Sequence, residues 1–270
     1  MKGKSIKFSL VFSVLLLAAP ATARLSVDAP RVDDTAYILR HLDWRLGLLS
    51  ADVGLYDRVQ VGTAYTPVLL GINNINLKVK LGQAGPTTVS ASGSFYTANP
   101  RNYSDDNPDT PVHFYTGALH ASYRRGNLTY SLTALTSHLT VQQNTSSTEE
   151  DVDLRGALTG TTGSANLNLI WQRSDTFAYV FDGYATLFQR AAGQADSSNR
   201  ISDRLSISTY GSGTVSEGAG RYNAAASALW SWDQFNLKLG MSYGHIRLPL
   251  INVFLNSVGW TPVIDLFWRF

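Results

Sequence analysis

Apolar and polar residues alternate with a period of two along most of this chain. Between 235 and 245, every second side chain is large and apolar, and the residues between them are mainly Asn, Lys, Gly or Ser. The same alternation runs through 74–81, 128–134, 165–172 and 176–182. A period of two places apolar side chains on one face of a strand, whereas a helix needs a period of 3.6. The sequence therefore predicts an all-β protein whose strands each have one apolar and one polar face.

Short and long connections alternate between the expected strands. The short turns fall at 56–57, 83–86, 125–127, 174–175 and 233–234, and the longer polar connections fall near 41–43, 70–73, 100–111, 145–163, 190–221 and 246–257. Five short turns and six longer connections join twelve strands. This alternation is typical of a closed up-and-down antiparallel β-barrel that spans a membrane, with its short turns at one end. The patterns of 36–43 and 204–221 are weak, so ten or fourteen strands remain open.

Aromatic residues gather near the short turns and near the end of the chain. A sandwich core also carries aromatic residues at alternate strand positions, but it does not collect them at one edge. In a transmembrane barrel they form a girdle at each membrane interface. The expected girdles are Tyr123, Tyr130, Trp171, Phe177, Trp230, Trp232, Phe235, Trp268 and Phe270 at the short turns, and Tyr65, Phe95, Tyr115 and Tyr243 opposite.

Two stretches carry a resemblance to bacterial outer-membrane β-barrel proteins. The final strand, with Ile264, Leu266, Trp268 and Phe270 at alternate positions, resembles the C-terminal signal that the barrel-assembly machinery recognises. The stretch GLYDRVQVG, from Gly54 to Gly62, resembles a strand-turn-strand motif of small outer-membrane proteins. The resemblance implies a Gram-negative outer-membrane barrel of an uncharacterised family. Its implied partners are outer-membrane lipids, lipopolysaccharide and, during biogenesis, the barrel-assembly machinery.

Pro262 departs from the pattern of that final strand. Proline removes a hydrogen-bond donor from a β-ladder and is confined to strand edges, strand ends and bulges. We therefore expect Pro262 at the outer end of the strand or beside a bulge.

The first 23 residues are expected to form a cleaved secretory signal peptide. Lys2, Lys4 and Lys7 precede the apolar run FSLVFSVLLLAA, which is too short for a membrane helix, and Ala21-Thr22-Ala23 supplies a cleavage pattern. Three of the 22 Lys and Arg residues lie in this leader, which has no acid, so 19 basic and 20 acidic residues remain. That balance gives no overall positive field for nucleic acid. Residues 24–270 are expected to form one barrel domain, because no linker divides them.

The polar faces of the expected strands carry more cations than carboxylates. The candidates for lining the lumen are Arg45, Lys78, Lys80, His120, Arg124, Asp182, Lys238, Asp265 and Arg269. A barrel of twelve strands lies between small barrels filled by side chains and large barrels with an open channel. An excess of Lys and Arg favours anions in an open pore, whereas pairing of the charges across the lumen seals it. Both interpretations remain open.

Catalytic chemistry has weak support in the sequence. His120 and Ser122 have the spacing of a catalytic pair in outer-membrane phospholipases, but they fall on the polar face near a short turn, away from lipid. The connection 105–113, with Asp105, Asp106, Asp109 and His113, has the residue types of an outer-membrane protease. Neither set favours catalysis over a hydrogen-bonded or solvated role, and no catalytic residue is assigned.

Metal and cofactor sites also lack a pattern. The chain has no Cys and its five His residues are scattered, which excludes thiolate sites and gives no zinc spacing. The acidic run 149–153 lacks the spaced ligands and the glycine of a calcium loop. No metal or cofactor is therefore expected.

The function that the sequence favours is a narrow, porin-like passage for small anionic solutes across the outer membrane. The alternative is a non-conducting structural or surface-interaction barrel that makes its contacts through the connections 145–163 and 190–221. A lipid-acting enzyme and a secreted β-sandwich are further hypotheses. No sequence feature identifies the solute or the oligomeric state.

Overall fold

The protein is built almost entirely of β-strands. The computed structural model describes residues 35–69, 71–98, 110–147, 152–202, 205–218, 220–232, 234–245 and 258–270. The strands in these ranges are β1 Trp44–Gly47, β2 Ser50–Leu55, β3 Val59–Ala64, β4 Asn73–Ala84, β5 Thr87–Ala98, β6 Val112–Arg125, β7 Leu128–Ser147, β8 Val152–Ser174, β9 Phe177–Ser202, β10 Leu205–Gly218, β11 Tyr222–Trp232, β12 Phe235–His245 and β13 Val258–Arg269. One short helix, α1, spans Tyr65–Leu69. In the described ranges, no helix has the length and apolar character needed to cross a membrane.

Twelve of the strands close into an antiparallel barrel. Neighbouring strands pair in chain order, and β13 returns to pair with β1, where Arg45 lies opposite Arg269. Among the described strands, β10 pairs with the far part of β9 alone, and β11 takes the place beside β9 from Tyr222 onward. The predicted all-β fold and the twelve-strand up-and-down barrel are therefore confirmed.

Apolar side chains cover the outside of this barrel. Leu119, Leu132 and Leu167 are more than half exposed, although each lies in the middle of a strand. Their neighbours in the alternation, such as Ser131 and Asn168, are almost fully buried inside. This is the reverse of a soluble protein, and it is what hydrocarbon around the barrel requires.

The two ends of the barrel are distinct. The end that carries the short turns near 57, 85, 126 and 175, together with Phe270, is the proximal end, and the opposite end is the distal end. Aromatic rings meet around the proximal rim: Phe177 contacts Trp230 at 5.4 Å between ring centroids, and Phe235 contacts Trp268 at 5.3 Å. The distal rim has its own contacts, with Phe95 at 5.1 Å from Tyr115. Tyr65, expected at the distal rim, lies at the start of α1.

The first part of the barrel differs from the prediction. Residues 36–43 are not a strand, and the connection expected at 41–43 lies at the proximal end, because the Trp44 amide donates to the Phe270 carbonyl at 3.1 Å. The distal turn lies instead between β1 and β2, at Leu48 and Leu49. These two adjacent leucines reverse the phase of the alternation, since apolar residues stand at even positions before them and at odd positions after them. A single strand cannot keep one apolar face across such a reversal, so the chain turns back there.

The long polar connections also differ from the prediction. Most of 145–163 and 190–221 forms strand, because β7, β8, β9 and β10 continue as a sheet beyond the distal rim. These stretches are rich in Ser, Thr and Gly and lack a regular apolar face, so their composition resembles a loop. They form strands because each finds a partner along its whole length, with Ser147 opposite Val152 and Glu217 opposite Gln189.

Pro262 lies within β13 rather than at its end. It stands opposite Met241 of β12 in a register that has no bulge. The expectation of an outer-end or bulge position is therefore wrong. The Pro262 nitrogen faces away from β12, so the proline removes no hydrogen bond between these two strands.

Candidate functional site: the lumen and its proximal closure

Residues 35–41 run inside the barrel, and we call them the lumen segment. Thr35, Ala36 and Leu39 are fully buried, and Ile38 is 7% exposed. The chain in this segment belongs to no strand, so it fills the lumen without being part of the wall. The segment then leaves through the proximal end and continues into β1.

Side chains of the wall hold the lumen segment through its backbone. The Ala36 amide donates to Ser122 Oγ at 2.7 Å, and Lys78 Nζ donates to the Thr35 carbonyl at 2.5 Å. Further along, the Leu39 amide donates to Gln60 Oε1 at 3.2 Å and the His41 amide donates to Asp57 Oδ1 at 2.7 Å. Backbone groups buried without water need such partners. These four contacts come from β3, β4, β6 and the β2–β3 turn.

Gly54 makes room for the lumen segment. A Cβ atom at Gly54 would lie 1.9 Å from the Arg40 carbonyl oxygen and 2.7 Å from the backbone of Leu39. The Gly54 amide donates to the Asp43 carbonyl at 2.9 Å, and its carbonyl accepts from the Leu42 amide at 2.9 Å. Only glycine permits this close approach.

The wall behind the lumen segment is lined by small hydroxyl groups. His120 hydrogen-bonds Ser92 Oγ through Nε2 and Thr133 Oγ1 through Nδ1, both at 2.8 Å. Ser122 and Ser131 hydrogen-bond each other at 2.7 Å, and both are buried. The four strands β4 to β7 carry Lys78, Lys80, Arg124 and Arg125 and contain no Asp or Glu.

The opposite half of the proximal lumen is a packed apolar core. Inward side chains of β8, β9, β11 and β13 meet there. They are Ile170, Ala178, Val180, Leu229 and Phe267, each at most 6% exposed. This half of the barrel is filled by its own wall, as in small barrels.

A layer of ion pairs lies above this apolar core. Arg45 contacts Asp265 at 2.8 Å and Asp52 at 3.9 Å, and its guanidinium lies 4.4 Å from the centre of the Phe267 ring. Lys238 contacts Asp182 at 3.5 Å. A carboxylate that stays ionised at low exposure needs such partners. In this half of the lumen, cations and carboxylates neutralise one another, either on adjacent strands or, for Lys238 and Asp182, across β11.

The remaining predicted lumen residues lie near the proximal mouth. Arg269 contacts Asp43 at 3.5 Å. Lys80 donates to Gln83 Oε1 at 2.9 Å, and Arg124 donates to the Gly126 carbonyl at 3.3 Å. The structure thus groups Arg45, Asp182, Lys238 and Asp265 on one side of the lumen and Lys78, Lys80, His120 and Arg124 on the other.

An open cleft of about 310 Å³ lies at the proximal mouth between the lumen segment and the wall. It is lined by Tyr37, Ile38, Leu39 and Arg40 from the segment and by Asp57, Lys80, Gln83 and Thr88 from the wall. The lumen segment therefore contacts the wall on one side and leaves an open gap on the other.

Comparison with known proteins shows no family for this chain. No family model matches the chain, and no curated protein matches it. The outer membrane protease OmpT from Escherichia coli is a similar solved structure, with 9% identity and a TM-score of 0.37 over 85% of this chain and 94% of that one. The ferric yersiniabactin uptake receptor FyuA from Yersinia pestis shares 12% identity at a TM-score of 0.35, and this chain covers 42% of its length. The Pseudomonas putida toluene transporter TodX shares 8% identity at 0.30, over 84% of this chain and 77% of that one.

The candidate catalytic residues have other partners. Both ring nitrogens of His120 are used by Ser92 and Thr133, and Ser122 bonds Ser131 and the Ala36 amide. The connection with Asp105, Asp106 and Asp109 lies outside the described residues, as do Glu149, Glu150 and Asp151. Within the described ranges, no three His, Asp or Glu side chains are grouped as a metal site.

The lumen segment is the main feature that the sequence did not predict. Residues 35–41 carry no repeat and no motif, so their position depends on the shape of the lumen. Two signals in the sequence are consistent with it: the weak alternation in 36–43 and the phase reversal at Leu48 and Leu49, which moves the first strand away from this region.

Proposed function

We propose that this protein spans the bacterial outer membrane and conducts small anions through a passage that the lumen segment closes. An apolar exterior between two aromatic rims supports the location. Tyr115 and Tyr123 of β6 stand at these rims, eight residues apart. At about 3.4 Å per residue and a tilt of about 40°, they are separated by roughly 20 Å along the membrane normal, close to the band of outer-membrane barrels.

The observation that carries the proposal is the contrast between the two halves of the proximal lumen. A permanently filled interior is apolar, as around Leu229 and Phe267, because buried apolar surface stabilises the fold. The wall behind the lumen segment instead consists of Ser, Thr, His and Lys side chains, which water solvates well. Removal of the segment would hydrate this wall rather than expose an apolar core. The proximal wall of β4 to β7 is therefore suited to an aqueous path, whereas further along the same strands Tyr96, Phe114 and Leu139 form a buried apolar cluster.

The charge of this wall sets the expected selectivity. Lys78, Lys80 and Arg124 lie along β4 and β6, and no carboxylate occurs in β4 to β7. Rings or rows of one charge in a narrow pore favour the opposite ion. The path along this wall should therefore conduct anions better than cations.

A reversible lock on the lumen segment tests the proposal. The chain has no Cys, so the double variant Ala36→Cys and Ser122→Cys places one disulfide between the segment and β6, where the Ala36 amide and Ser122 Oγ lie 2.7 Å apart. In planar bilayers we expect the oxidised barrel to be closed and the reduced barrel to pass an anion-selective current. A matched control is Ser137→Cys with Thr162→Cys, which links β7 to β8 away from the segment. The control should show no change in current between the two redox states.

Two outcomes contradict the proposal. If the reduced variant passes no current, and a refolded chain that starts at Asp43 also passes none, the barrel is not a conduit. If current flows but prefers cations, the assignment of the β4 to β7 wall as the path is wrong.

A second candidate function is a surface-interaction barrel, and the sheet of β7 to β10 favours it. β8 and β9 have 23 and 26 residues, whereas a membrane-spanning strand needs about 9–11. Their distal halves therefore stand well clear of the membrane and offer a surface to the cell exterior. Deletion of 190–216 should leave the redox-dependent current unchanged, and loss of cell adhesion or phage adsorption in the same variant would support this role.

A further inference from the structure

Within the described residues, the strands of the barrel wall leave a gap between the hairpin of β1 and β2 and the edge of β13, and we call it the notch. The helix α1 borders it, since the Tyr65 amide donates to the Leu49 carbonyl at 2.8 Å. β1 has four residues and β2 has six, whereas β4, β5 and β13 each have twelve. Four residues extend about 13 Å along a strand, less than half of the length that spans an apolar band of about 25 Å. The hairpin tip at Leu48 and Leu49 therefore ends inside the membrane.

One side of the notch is the edge of β13. β1 pairs with β13 at three positions, and the Leu48 amide donates to the Leu266 carbonyl at 2.7 Å just above them. Beyond that point, no strand of the described chain lies beside Val258–Asp265 on this side. Because bonding directions alternate along a strand, residues in phase with Leu266 and Phe270 direct their backbone groups into the notch. These residues are Val258, Trp260, Pro262 and Ile264.

Pro262 thus lies where a backbone N–H is not needed. Its nitrogen faces the notch and not β12, which explains why it disrupts no pairing within β13. A proline in the middle of an open edge also hinders the addition of another strand. The other N–H and C=O groups of this edge nevertheless need partners at membrane depth, since an unsatisfied group in hydrocarbon costs several kcal/mol. A partner that is polar and is not a strand meets both conditions.

The surroundings of the notch are apolar outside and polar inside. Leu48 is 62% exposed and Trp260 is 70% exposed on the outer surface. On the lumen side, the floor of the notch is formed by Arg45 with Asp52 and Asp265, and Arg45 and Asp52 are each three residues from the hairpin tip. An amphiphile matches this arrangement: its chains fit the outer surface and its head fits the lumen side.

We propose that the notch is a lateral portal that admits the polar head of a membrane phospholipid from the bilayer into the lumen. The head bonds the open backbone groups of β13 above the Arg45 cluster, and the acyl chains remain outside against Leu48, Leu49 and Trp260. This role is separate from ion conduction, since the side chains of β3, β4 and β6 that hold the lumen segment do not line the notch.

Fluorescence quenching by labelled lipids tests the portal. Three single-Cys variants of the full chain carry a small fluorophore: Val263→Cys faces the lumen beside the notch, Leu135→Cys faces it between the full-length strands β6 and β8, and Ile264→Cys faces the bilayer. The vesicles contain phosphatidylcholine labelled either with a nitroxide on its head or with bromine in its chains. We expect head-labelled lipid to quench Val263→Cys and to leave Leu135→Cys unquenched. Chain-brominated lipid should quench Ile264→Cys.

A sealed variant provides the second measurement. Two residues added to each of β1 and β2 next to the tip, together with Pro262→Val, extend the pairing along β13 and should abolish the quenching of Val263→Cys. Heat-modifiable migration on gels verifies that each variant is folded.

Two results overturn the portal. One is equal behaviour of Val263→Cys and Leu135→Cys with head-labelled lipid. The other is quenching of Val263→Cys by chain-brominated lipid alone, because chains and not heads would then occupy the notch. Neither result depends on a measured current, so this experiment tests the portal independently of the proposed anion conduction.

Discussion

A Cβ atom on Gly54 would lie 1.9 Å from the carbonyl oxygen of Arg40. This contact couples a wall position directly to the lumen segment, since β2 itself has space for a side chain there only when the segment is absent. A single methyl group added at Gly54 would therefore oppose the position in which the lumen segment closes the barrel.

Gly54→Ala is expected to displace the lumen segment and to open the barrel. Because the clash is with backbone atoms, it cannot be relieved by rotation of a side chain. The variant should conduct in planar bilayers without reduction or truncation, and trypsin should cleave after Arg40 more quickly than in the parent. The control is Gly117→Ala in β6, where the nearest atom to the new Cβ is a Thr136 methyl at 3.8 Å. A closed Gly54→Ala barrel would contradict the assignment of the segment as the closure.

Lys78 and Lys80 are expected to set the anion preference of the open state. With both replaced by Gln in the reduced Cys variant, the reversal potential in a salt gradient should move towards the value of a non-selective pore. Lys238→Gln serves as the control, since Lys238 is paired with Asp182 in the other half of the lumen. If Lys238→Gln shifts the reversal potential more than the replacement of Lys78 and Lys80, the ion path runs along the half of the lumen that contains Lys238, and the proposed path is wrong.

Arg45→Met is expected to destabilise the folded barrel. The change leaves Asp52 and Asp265, which are 10% and 17% exposed, without their shared cation. Removal of one partner of a buried ion pair costs about 3–5 kcal/mol. Urea unfolding in detergent micelles, followed by tryptophan fluorescence, measures the loss. Lys80→Met, at a more exposed position bonded to Gln83, should change the free energy of unfolding by less than about 0.5 kcal/mol.

The orientation of the barrel can be read from cysteine labelling on intact cells. Tyr210 in β10 is 65% exposed on the distal sheet, and Tyr56 in the β2–β3 turn is 78% exposed at the proximal end. A membrane-impermeant maleimide should label Tyr210→Cys on intact cells and should label Tyr56→Cys after the outer membrane is permeabilised. The reverse pattern would mean that the proximal end faces the medium.

The wall of the barrel was largely predictable from the sequence, because the strands between the two rims show the period of two that an apolar outside and a polar inside require. The number of strands was also correct, although for the first strand the prediction rested on a wrong segment. The phase reversal at Leu48 and Leu49 is a local signal for the actual hairpin, and it is visible without the structure.

The interior was much less predictable. The inward positions of Lys78 and His120 follow from alternation, but the contacts of Lys78 with Thr35 and of Ser122 with Ala36 join residues far apart in the chain. Such contacts depend on where the lumen segment lies within the closed barrel, and no local pattern in the sequence encodes that position. The distal sheet was missed for another reason: Ser and Gly have little strand preference of their own, and the pairing of a whole hairpin outweighs this.

The short β1 also bears on how the barrel assembles. Its three residue pairs with β13 join parts of the chain more than two hundred residues apart, so this seam carries a large loss of chain entropy and little pairing to offset it. β7 and β8, by contrast, share twenty pairs across a turn of a few residues. We therefore expect the hairpins to form early and the seam between β1 and β13 to close last. Under mechanical or thermal stress, the hydrogen bonds between β1 and β13 should break first.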